Sequence, residues 1–475
     1  MSDFQGEAYK RLRQIVSSRN DDTLPPQDAI QAATSSLPQP TDASYLVGRG
    51  PEATLDHLLG TIVPGLNGQN LSGRYYGFVT GSTLPIAEAA DNIVSALDQN
   101  PAAHLPSQTV CTTVEDAALK MLIDLLELGP PEDWPGRIFT TGATGSNVLG
   151  LACGREAVVA KRLRRSGSSD ANAVGELGIL GACQAAGIKE IRILTSMGHS
   201  SLSKAASIVG IGRASTKQLP YSDKEPWRLD IDAVEKLLAE DGVASIISVS
   251  AGEVNTGRFA TAGLEDLKRL RVLADKYDSW IHVDGAFGLY ARALPQTEEF
   301  SRLRELVSGL ELADSITADG HKLLNVPYDA GIFFCRDDNI PTSVFQNAGA
   351  AYLSTGPSRI LSPLNIGLEN SRRFRALPVY ATLLSEGRNG LAEMFARMVL
   401  MARGVAEFIR DSEYYDWLPE PTANLNEVQI IVFFRAKNDA LNDVLVQKIN
   451  DTRKMYVSGT QWQGKKACRL ATCSF

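Results

Sequence analysis

The sequence predicts an α/β fold built on a large, mostly parallel sheet. From Arg137 onward, short apolar runs alternate with amphipathic segments, an order typical of strands that are covered by helices on both faces. One amphipathic segment, Leu264–Tyr277, keeps its leucines and its tyrosine on one face at helical spacing. The predicted strands are Arg137–Thr140, Glu190–Thr195, Ser245–Val249, Trp280–Asp284, Ser315–Ala318 and Gly331–Cys335.

The two ends of the chain differ from this central part. The N-terminal end is polar and interrupted by prolines, with one predicted helix near Glu7–Ser17. After Arg375 the pattern predicts a long helix around Leu391–Ile409 and a strand at Val428–Phe434. We therefore expect three regions, namely an N-terminal helical segment over residues 1–100, a large domain over 101–375 and a smaller α+β domain over 376–475.

Composition argues against several classes of protein. A net charge of −8 makes nucleic acid a poor partner, and no apolar run approaches the roughly 18 residues that span a membrane. The six cysteines lack CxxC spacing, so neither a metal site nor a disulfide framework is expected. The first residues show no charged-then-apolar signal pattern, which favours a cytoplasmic protein.

Asp284 and Lys322 are the most informative residues of the chain. Asp284 ends the apolar run Trp280–Asp284, and Lys322 follows the run Ser315–Ala318. A carboxylate that can face a pyridinium nitrogen and a lysine that can form an imine are the two groups that pyridoxal 5′-phosphate (PLP) chemistry requires. The plain alternatives are an aspartate that caps a turn and a solvated lysine. The apolar sequence around Lys322 argues against the second alternative.

The segment Thr140–Asn147 is a candidate phosphate site. It follows a predicted strand, opens a predicted helix and consists mostly of glycine, serine and threonine. Small residues let the backbone approach an anion, and a helix N-terminus offers unpaired N–H groups with a favourable dipole. Such turns are common, so the segment gains its weight from Asp284 and Lys322 further along the chain.

Two smaller features complete the candidate site. His199 lies just beyond the predicted strand Glu190–Thr195, where an imidazole could stack on a pyridine ring; the alternative is a surface histidine that caps the next helix. Ala286 lies two residues after Asp284 on the same strand face, where its methyl group would press against the ring.

In this order, the motifs resemble those of the group II PLP-dependent amino-acid decarboxylases, which act on aromatic amino acids, glutamate, tyrosine and diaminobutyrate. The resemblance runs from about Gly73 to the C-terminus and implies a fold-type I architecture and an obligate homodimer, formed in part by the N-terminal segment, with active sites at the interface. The matching motifs are Tyr76–Gly81, Gly142–Asn147, His199–Ala205, His282–Ala286, Asp314–Lys322, Pro327–Gly331 and Ser371–Arg375.

The resemblance also implies roles for single residues. By that likeness Lys322 is the Schiff-base lysine, Asp284 faces the ring nitrogen and His199 stacks on the ring. Thr80 falls where the family contacts the substrate carboxylate or nearby ring groups. The other residues expected to bind the cofactor are Ala143, Thr144 and Ser315 at the phosphate, together with Ala286 and His321.

The chain departs from the family pattern at two places. Glu253 stands where the family usually keeps a hydroxyl group near the cofactor. If buried in the site, Glu253 could stay protonated and donate a proton; the alternative is that it turns away and pairs with a cation such as Arg258. The family's mobile-loop tyrosine, a proton donor, has no counterpart either, because no tyrosine occurs between Tyr352 and Tyr380 and the loop Leu353–Leu361 has no obvious donor.

The sequence therefore predicts a PLP-dependent carboxy-lyase that decarboxylates an L-amino acid. Lys322, once freed by the substrate, is the nearest alternative acid. Two other readings stay open at this point. The same chemistry could end in oxidative deamination to an aldehyde, in transamination or in carbon–carbon bond formation, or the chain could be a PLP-binding homologue without catalysis.

Overall fold

The computed structural model describes residues 4–19, 22–167, 173–347, 359–419 and 424–474. Its strands are β1 (Tyr75–Tyr76), β2 (Gly136–Thr140), β3 (Glu190–Thr195), β4 (Thr216–Gln218), β5 (Val243–Ser250), β6 (Trp280–Asp284), β7 (Ser315–Asp319), β8 (Gly331–Cys335), β9 (Tyr415–Leu418), β10 (Ile431–Ala436), β11 (Tyr456–Trp462) and β12 (Lys465–Ala471).

The helices are α1 (Phe4–Ser18), α2 (Gln27–Ser35), α3 (Pro51–His57), α4 (Pro85–Leu97), α5 (Cys111–Leu125), α6 (Ala143–Arg165), α7 (Ala173–Ala185), α8 (Ser200–Ile208), α9 (Ile231–Leu238), α10 (Leu264–Lys276), α11 (Glu298–Leu306), α12 (Gly320–Leu323), α13 (Asn339–Phe345), α14 (Ala376–Asp411), α15 (Asp439–Asn442) and α16 (Leu445–Asp451). Within the described part of the chain, no helix has both the length and the apolar character that a membrane crossing requires.

The chain divides into two compact units. The first comprises residues 1–78, 412–417 and 433–471, and the second comprises 79–411, 418–432 and 472–475. The domain boundaries at residues 100 and 375 stay predictions. The first unit contains a five-stranded sheet in the order β1-β11-β12-β10-β9. Its helices α1, α2 and α3 contain no buried residue.

The second unit is built on a seven-stranded sheet in the order β2-β8-β7-β6-β5-β3-β4. The pairs from β4 to β7 are parallel, whereas β8 runs antiparallel to both β7 and β2. Every residue of β5, β6, β7 and β8 is buried. Continuous burial is typical of a parallel sheet that is covered on both faces, and it explains why these strands are rich in apolar residues. A few polar side chains, such as His282, Ser315 and Thr317, are buried among them.

The predicted mostly parallel α/β fold is confirmed. The six predicted strands agree with β2, β3, β5, β6, β7 and β8 to within two residues at either end. The short strand β4 was not predicted, because its three residues are polar or only partly buried and carry no apolar pattern. The strand predicted at Val428–Phe434 begins instead at Ile431, after a 3₁₀ turn at Leu425–Glu427.

Candidate active site

Two aspartates end neighbouring strands of the central sheet. Asp284 is the last residue of β6 and Asp319 is the last residue of β7. The two strands are parallel, with Asp284 opposite Thr317. Because parallel strands place their carboxyl ends at one edge of the sheet, both carboxylates lie at the edge where α/β proteins bind their ligands.

Asp284 is held by a neutral amide. Asn147, in the first turns of α6, donates from Nδ2 to Asp284 Oδ2 at 2.9 Å. The other oxygen, Oδ1, receives only a long contact from the Ala286 N–H at 3.4 Å. Asp284 is buried, and among the described residues no cation forms an ion pair with it. Its negative charge is therefore available to a cationic ligand such as a protonated ring nitrogen.

Ser315 does not lie with the predicted phosphate residues. It is the first residue of β7, and its hydroxyl contacts Trp280 Nε1 at 3.0 Å and His282 Nδ1 at 2.8 Å. Ala143 N–H, by contrast, lies beside Asp319 at the opposite end of that strand. A serine at the start of the strand supports the buried His282, and burial lowers the pKa of His282 to about 4.

His199 lies beside the strand ends and caps α8. Its Nδ1 accepts from the backbone N–H of Ser201 at 3.2 Å and contacts the Ser201 hydroxyl at 2.7 Å. Although the residue is exposed at the protein surface, partial burial of the ring lowers its pKa, an effect that the charge of Asp284 opposes. The charges of Lys322, Glu253 and Asp319 also act on this imidazole. The charged residues predicted for the site therefore all lie near enough to His199 to affect its pKa.

Lys322 is held by Asp319, a residue that the sequence reasoning missed. Lys322 Nζ lies 2.9 Å from Asp319 Oδ2, and the two side chains are 19% and 2% exposed. The other carboxylate oxygen of Asp319 accepts from the N–H of Ala143, the first residue of α6, at 2.6 Å. The spacing of three residues before Lys322 on a predicted strand end was a signal that could have identified Asp319.

His321 is buried beside the same lysine. Its Nδ1 accepts from the Ala330 N–H at 3.1 Å, and its ring lies 4.5 Å from that of Tyr328. Burial lowers its pKa, while the Asp319 carboxylate raises it. A neutral ring that accepts at Nδ1 carries its proton on Nε2, the nitrogen that lies 3.7 Å from Asp319 Oδ2.

Thr80 lies on a segment that runs along Lys322. The N–H of Gly81 donates to the carbonyl of His321 at 3.3 Å. A side chain at residue 81 would overlap the carbonyl oxygen of Lys322, so only glycine permits this close approach. The Thr80 hydroxyl is buried and has no hydrogen-bond partner among the described residues. A ligand in the site could provide that partner, as expected of a residue that contacts substrate.

Glu253 is buried, but its carboxylate turns into its own loop. Oε1 accepts from the backbone and side-chain N–H groups of Asn255, both at 3.0 Å. Oε2 accepts from the Thr256 N–H at 2.7 Å and from its hydroxyl at 2.8 Å. Arg258, the alternative partner, instead pairs with Glu427 at 3.0 Å. Both carboxylate oxygens of Glu253 are thus used as acceptors by donors of its own loop, instead of facing the cofactor site.

The loop Leu353–Leu361 cannot be placed in the site, because residues 348–358 lie outside the described part of the chain. Elsewhere the residues fit PLP. Asp284 offers an unpaired negative charge, Lys322 a primary amine and Ala143 and Thr144 a helix N-terminus for an anion. Among the described residues of the site, Asp319 has the wrong sign for a phosphate neighbour, and its charge is only partly offset by Lys322.

Comparison with known proteins supports this interpretation. The pyridoxal-dependent decarboxylase conserved domain matches residues 78–437. L-2,4-diaminobutyrate decarboxylase of Acinetobacter baumannii is 30% identical over 292 residues, which cover 60% of this chain and 53% of that protein. The match thus spans about half of the bacterial enzyme.

Two animal proteins match over more of their length. Aromatic-L-amino-acid decarboxylase of Sus scrofa is 25% identical over 87% of this chain and 80% of its own. The 3,4-dihydroxyphenylacetaldehyde synthase of Drosophila melanogaster is 26% identical over 76% of this chain and 67% of its own. Relatives of this chain thus include both a protein named as a decarboxylase and a protein named as an aldehyde synthase.

The fold is shared with a solved structure. Oryza sativa TDC, solved with PLP and tryptamine, superposes with a TM-score of 0.78 at 21% identity and covers 99% of this chain and 92% of its own. This likeness confirms the predicted fold-type I architecture. The domain match extends over more than half of the sequence and contains both Asp284 and Lys322. The chain therefore belongs to the pyridoxal-dependent decarboxylase family, and pyridoxal 5′-phosphate is its cofactor.

Proposed function

We propose that this protein decarboxylates an L-α-amino acid, with PLP bound through Lys322. The observation that supports the proposal most is the arrangement around His199. Asp284 is joined to His199 by hydrogen bonds through Asn147 and Ser201. Lys322 lies beside the end of the neighbouring strand, with its Nζ 2.9 Å from Asp319 Oδ2. The cofactor requires a lysine to form an imine, a carboxylate at its ring nitrogen and a flat side chain against its ring, and this part of the structure offers all three.

In the proposed reaction, each side chain of the site has a separate chemical role. When bound, the cofactor supplies a protonated ring that accepts the electron pair left on the α-carbon as carbon dioxide departs. Asp284 stabilises the protonated ring nitrogen, because an opposite charge in a water-poor site favours the cation. His199 covers one face of the ring. The N-terminus of α6 at Ala143 and Thr144 would hold the phosphate, with the Ala143 N–H exchanging its bond to Asp319 for one to the phosphate. Thr80 would contact the substrate.

Return of a proton to the α-carbon requires an acid. The Glu253 carboxylate is occupied by four donors from its own loop, and the sequence has no tyrosine between Tyr352 and Tyr380. Lys322, whose amine would be released by the substrate amine, would then be the residue that supplies this proton. Geometry comes before pKa in choosing such a group.

A second outcome has support of its own, because a relative is named 3,4-dihydroxyphenylacetaldehyde synthase and the loop tyrosine is missing. A carbanion that is protonated slowly can instead lose two electrons to dioxygen. The amino acid, dioxygen and water then yield an aldehyde, carbon dioxide, ammonia and hydrogen peroxide. This route consumes one dioxygen for each carbon dioxide released.

Product analysis of the holoenzyme separates these outcomes. Diaminobutyrate, glutamate and aromatic amino acids are supplied in turn, and carbon dioxide, amine, aldehyde, ammonia and peroxide are measured separately. Amine equal to carbon dioxide supports decarboxylation, whereas aldehyde and peroxide in equal amounts support the second route. No carbon dioxide from any amino acid of a broad panel would contradict both.

The attachment of the cofactor is tested independently of turnover. Borohydride reduction of the holoenzyme, followed by peptide mapping, is expected to place the pyridoxyl group on Lys322. The Lys322→Ala variant is the control, since it keeps the Asp319 carboxylate and loses the amine. Label on another lysine in the native enzyme would overturn the assignment of the site.

We further propose that the protein is a homodimer whose N-terminal segment covers the partner subunit. Helices α1, α2 and α3 contain no buried residue, and Leu46 is 89% exposed. Helices without a buried face need a partner to hold them. Sedimentation at assay concentration tests this, and an active monomer would contradict it. The cytoplasmic location stays a prediction that cell fractionation would test.

A further inference from the structure

A chain of buried hydrogen bonds runs from Trp280, the first residue of β6, to the candidate active site. Trp280 Nε1 can only donate, so Ser315 Oγ accepts from it at 3.0 Å. The Ser315 hydroxyl lies 2.8 Å from His282 Nδ1, and His282 Nε2 lies 2.9 Å from Asn147 Oδ1. All four side chains are buried, and His282, Ser315 and Asn147 have no exposed surface.

The direction of each bond follows from Asp284. An ionised carboxylate only accepts, so Asn147 must present its NH₂ group to Asp284 and its oxygen to His282. His282 Nε2 therefore carries a proton. Since burial lowers the pKa of His282 to about 4, its ring is neutral at physiological pH and Nδ1 must accept from Ser315.

The same amide reaches the other side of the cofactor site. Asn147 Nδ2 also donates to Ser201 Oγ at 3.1 Å. The hydroxyl of Ser201 then donates to His199 Nδ1 at 2.7 Å, and the Ser201 backbone N–H reaches the same nitrogen. With Nδ1 accepting, a neutral His199 carries its proton on Nε2. One amide thus contacts both the ring-nitrogen carboxylate and the support of the ring-stacking imidazole.

We propose that Asn147 is a positioning residue that presents Asp284 to the cofactor ring nitrogen and sets the tautomer of His199, with its own amide orientation fixed by His282. The proposal rests on the proposed function, because it assumes that the ring lies between Asp284 and His199. The hydrogen-bond chain itself does not depend on the cofactor.

Two glycines in helix α6 leave space for the side chains that form these hydrogen bonds. A methyl group at Gly150 would overlap the ring of His282, and one at Gly154 would lie 2.9 Å from the ring of Trp280. The two glycines are four residues apart and follow Asn147 on the same helix. They lower intrinsic helix stability by about 1 kcal/mol each relative to alanine. The room that they leave for His282 and Trp280 accounts for their presence.

Nitrogen NMR tests the proposal without relying on turnover. The chain has five histidines, so ¹⁵N-histidine labelling gives few enough signals to assign by substitution. In the cofactor-free enzyme, His282 and His199 are expected as Nε2–H tautomers. In enzyme loaded with ¹⁵N-labelled PLP, the ring nitrogen is expected to resonate as a pyridinium.

The Asn147→Leu variant removes both polar atoms at similar volume. Borohydride reduction is still expected to label Lys322, which shows that the cofactor binds. The ring-nitrogen signal is expected to move toward unprotonated pyridine, His199 to lose its single tautomer, and kcat to fall about tenfold, equivalent to one weakened interaction. A wild-type ring signal and a wild-type His199 tautomer in this variant would overturn the proposal.

Gly150→Ala provides a second test that removes no polar side chain from the hydrogen-bond chain. It is expected to displace His282 and to reproduce the NMR changes of Asn147→Leu. The control is Gly404→Ala, since Gly404 also lies in a helix but has open space around it. Unchanged histidine signals in Gly150→Ala would overturn the proposal even if Asn147→Leu fails to fold. Failure to label Lys322 in the native enzyme would instead overturn the proposed function alone.

Discussion

Asp284 and Asp319 occupy equivalent places at the ends of adjacent parallel strands, yet their surroundings differ in charge. Asp284 accepts from the neutral amide of Asn147 and forms no ion pair among the described residues. Asp319 is paired with Lys322 at 2.9 Å and also accepts from the N-terminus of α6. The same side chain at the same edge of the sheet thus has its charge free in one case and partly offset in the other.

This difference shows how one sheet edge supports two tasks. A carboxylate with neutral partners keeps its full attraction for a bound cation, as the ring nitrogen requires. A carboxylate with a cationic partner instead fixes that partner in place. The neighbours that arrive from α6 and α12 decide which task each aspartate performs, because the strand positions themselves are alike.

The largest expected effect comes from removing the free charge. Asp284→Asn keeps the shape of the side chain, so the fold and bound PLP are expected to remain. Activity is expected to fall about 10²- to 10³-fold, comparable to the loss of one preorganised electrostatic group in other enzymes. Steady-state kinetics and cofactor absorbance measure the two quantities. Near-normal turnover would show that Asp284 does not serve the ring nitrogen.

Acid should destabilise the folded protein through His282, the buried imidazole that contacts Asn147. The pKa of His282 is lowered by burial from 6.5 to about 4. Between these values the unfolded chain binds a proton that the folded chain rejects, so the free energy of unfolding falls as the pH falls. The full loss is about 3 kcal/mol for a shift of this size.

Urea titrations at several pH values measure this loss. In His282→Gln the contribution of the imidazole is absent, so the slope of stability against pH in this window should become shallower than in the native enzyme. Identical slopes in the two proteins would show that His282 is not the group responsible.

Glu253 supplies a third buried carboxylate, whose donors come from its own loop. Glu253→Thr removes the acceptor for four hydrogen bonds and is expected to cost about 2 kcal/mol of stability, with partial compensation by water. The ratio of amine to aldehyde is expected to stay unchanged. Glu253→Gln, which keeps one acceptor oxygen, should lose less stability. A changed product ratio in Glu253→Thr at full stability would restore the acid role predicted from the sequence.

The smallest effect should come from neutralising Asp319. Asp319→Asn removes a negative charge beside the helix end proposed to bind the phosphate, so PLP is expected to bind about tenfold more tightly to the apoenzyme. Pyridoxal, which lacks the phosphate, should gain less. Absorbance titration measures both affinities, with Asp230→Asn at the start of α9 as a control. Weaker PLP binding would show that Asp319 holds Lys322 in its reactive position instead.

The sequence alone was sufficient to predict those parts of the fold that depend on the local pattern of apolar and polar residues. Strands β5 to β8 are continuously buried, so each appears as an apolar run with a polar boundary. Asp284 and Lys322 could be selected because Asp284 ends such a run and Lys322 comes shortly after one. Ser315 was assigned to the phosphate from the family resemblance, although it opens the predicted strand and therefore lies at the edge of the sheet opposite to Lys322.

Asn147 and Asp319 show what local pattern leaves out. Asn147 is 137 residues from Asp284, and its role depends on which face of α6 meets the sheet. The three-residue spacing between Asp319 and Lys322 is a local signal of their pairing, but the contact of Asp319 with Ala143 comes from 176 residues away. Contacts of this length are set by tertiary packing and have no signature in a single sequence.

The antiparallel direction of β8 has a consequence for the order in which the site forms. Asp319 pairs with Gly331, so the segment that carries Lys322 is a short connection closed by neighbouring strands. Such local closure costs little chain entropy and forms early in folding. The contact between Asn147 and Asp284 must wait until α6 docks across 137 residues of chain. We therefore expect the nascent protein to capture its cofactor through the lysine first, and to complete the ring-nitrogen half of the site around a cofactor that is already attached.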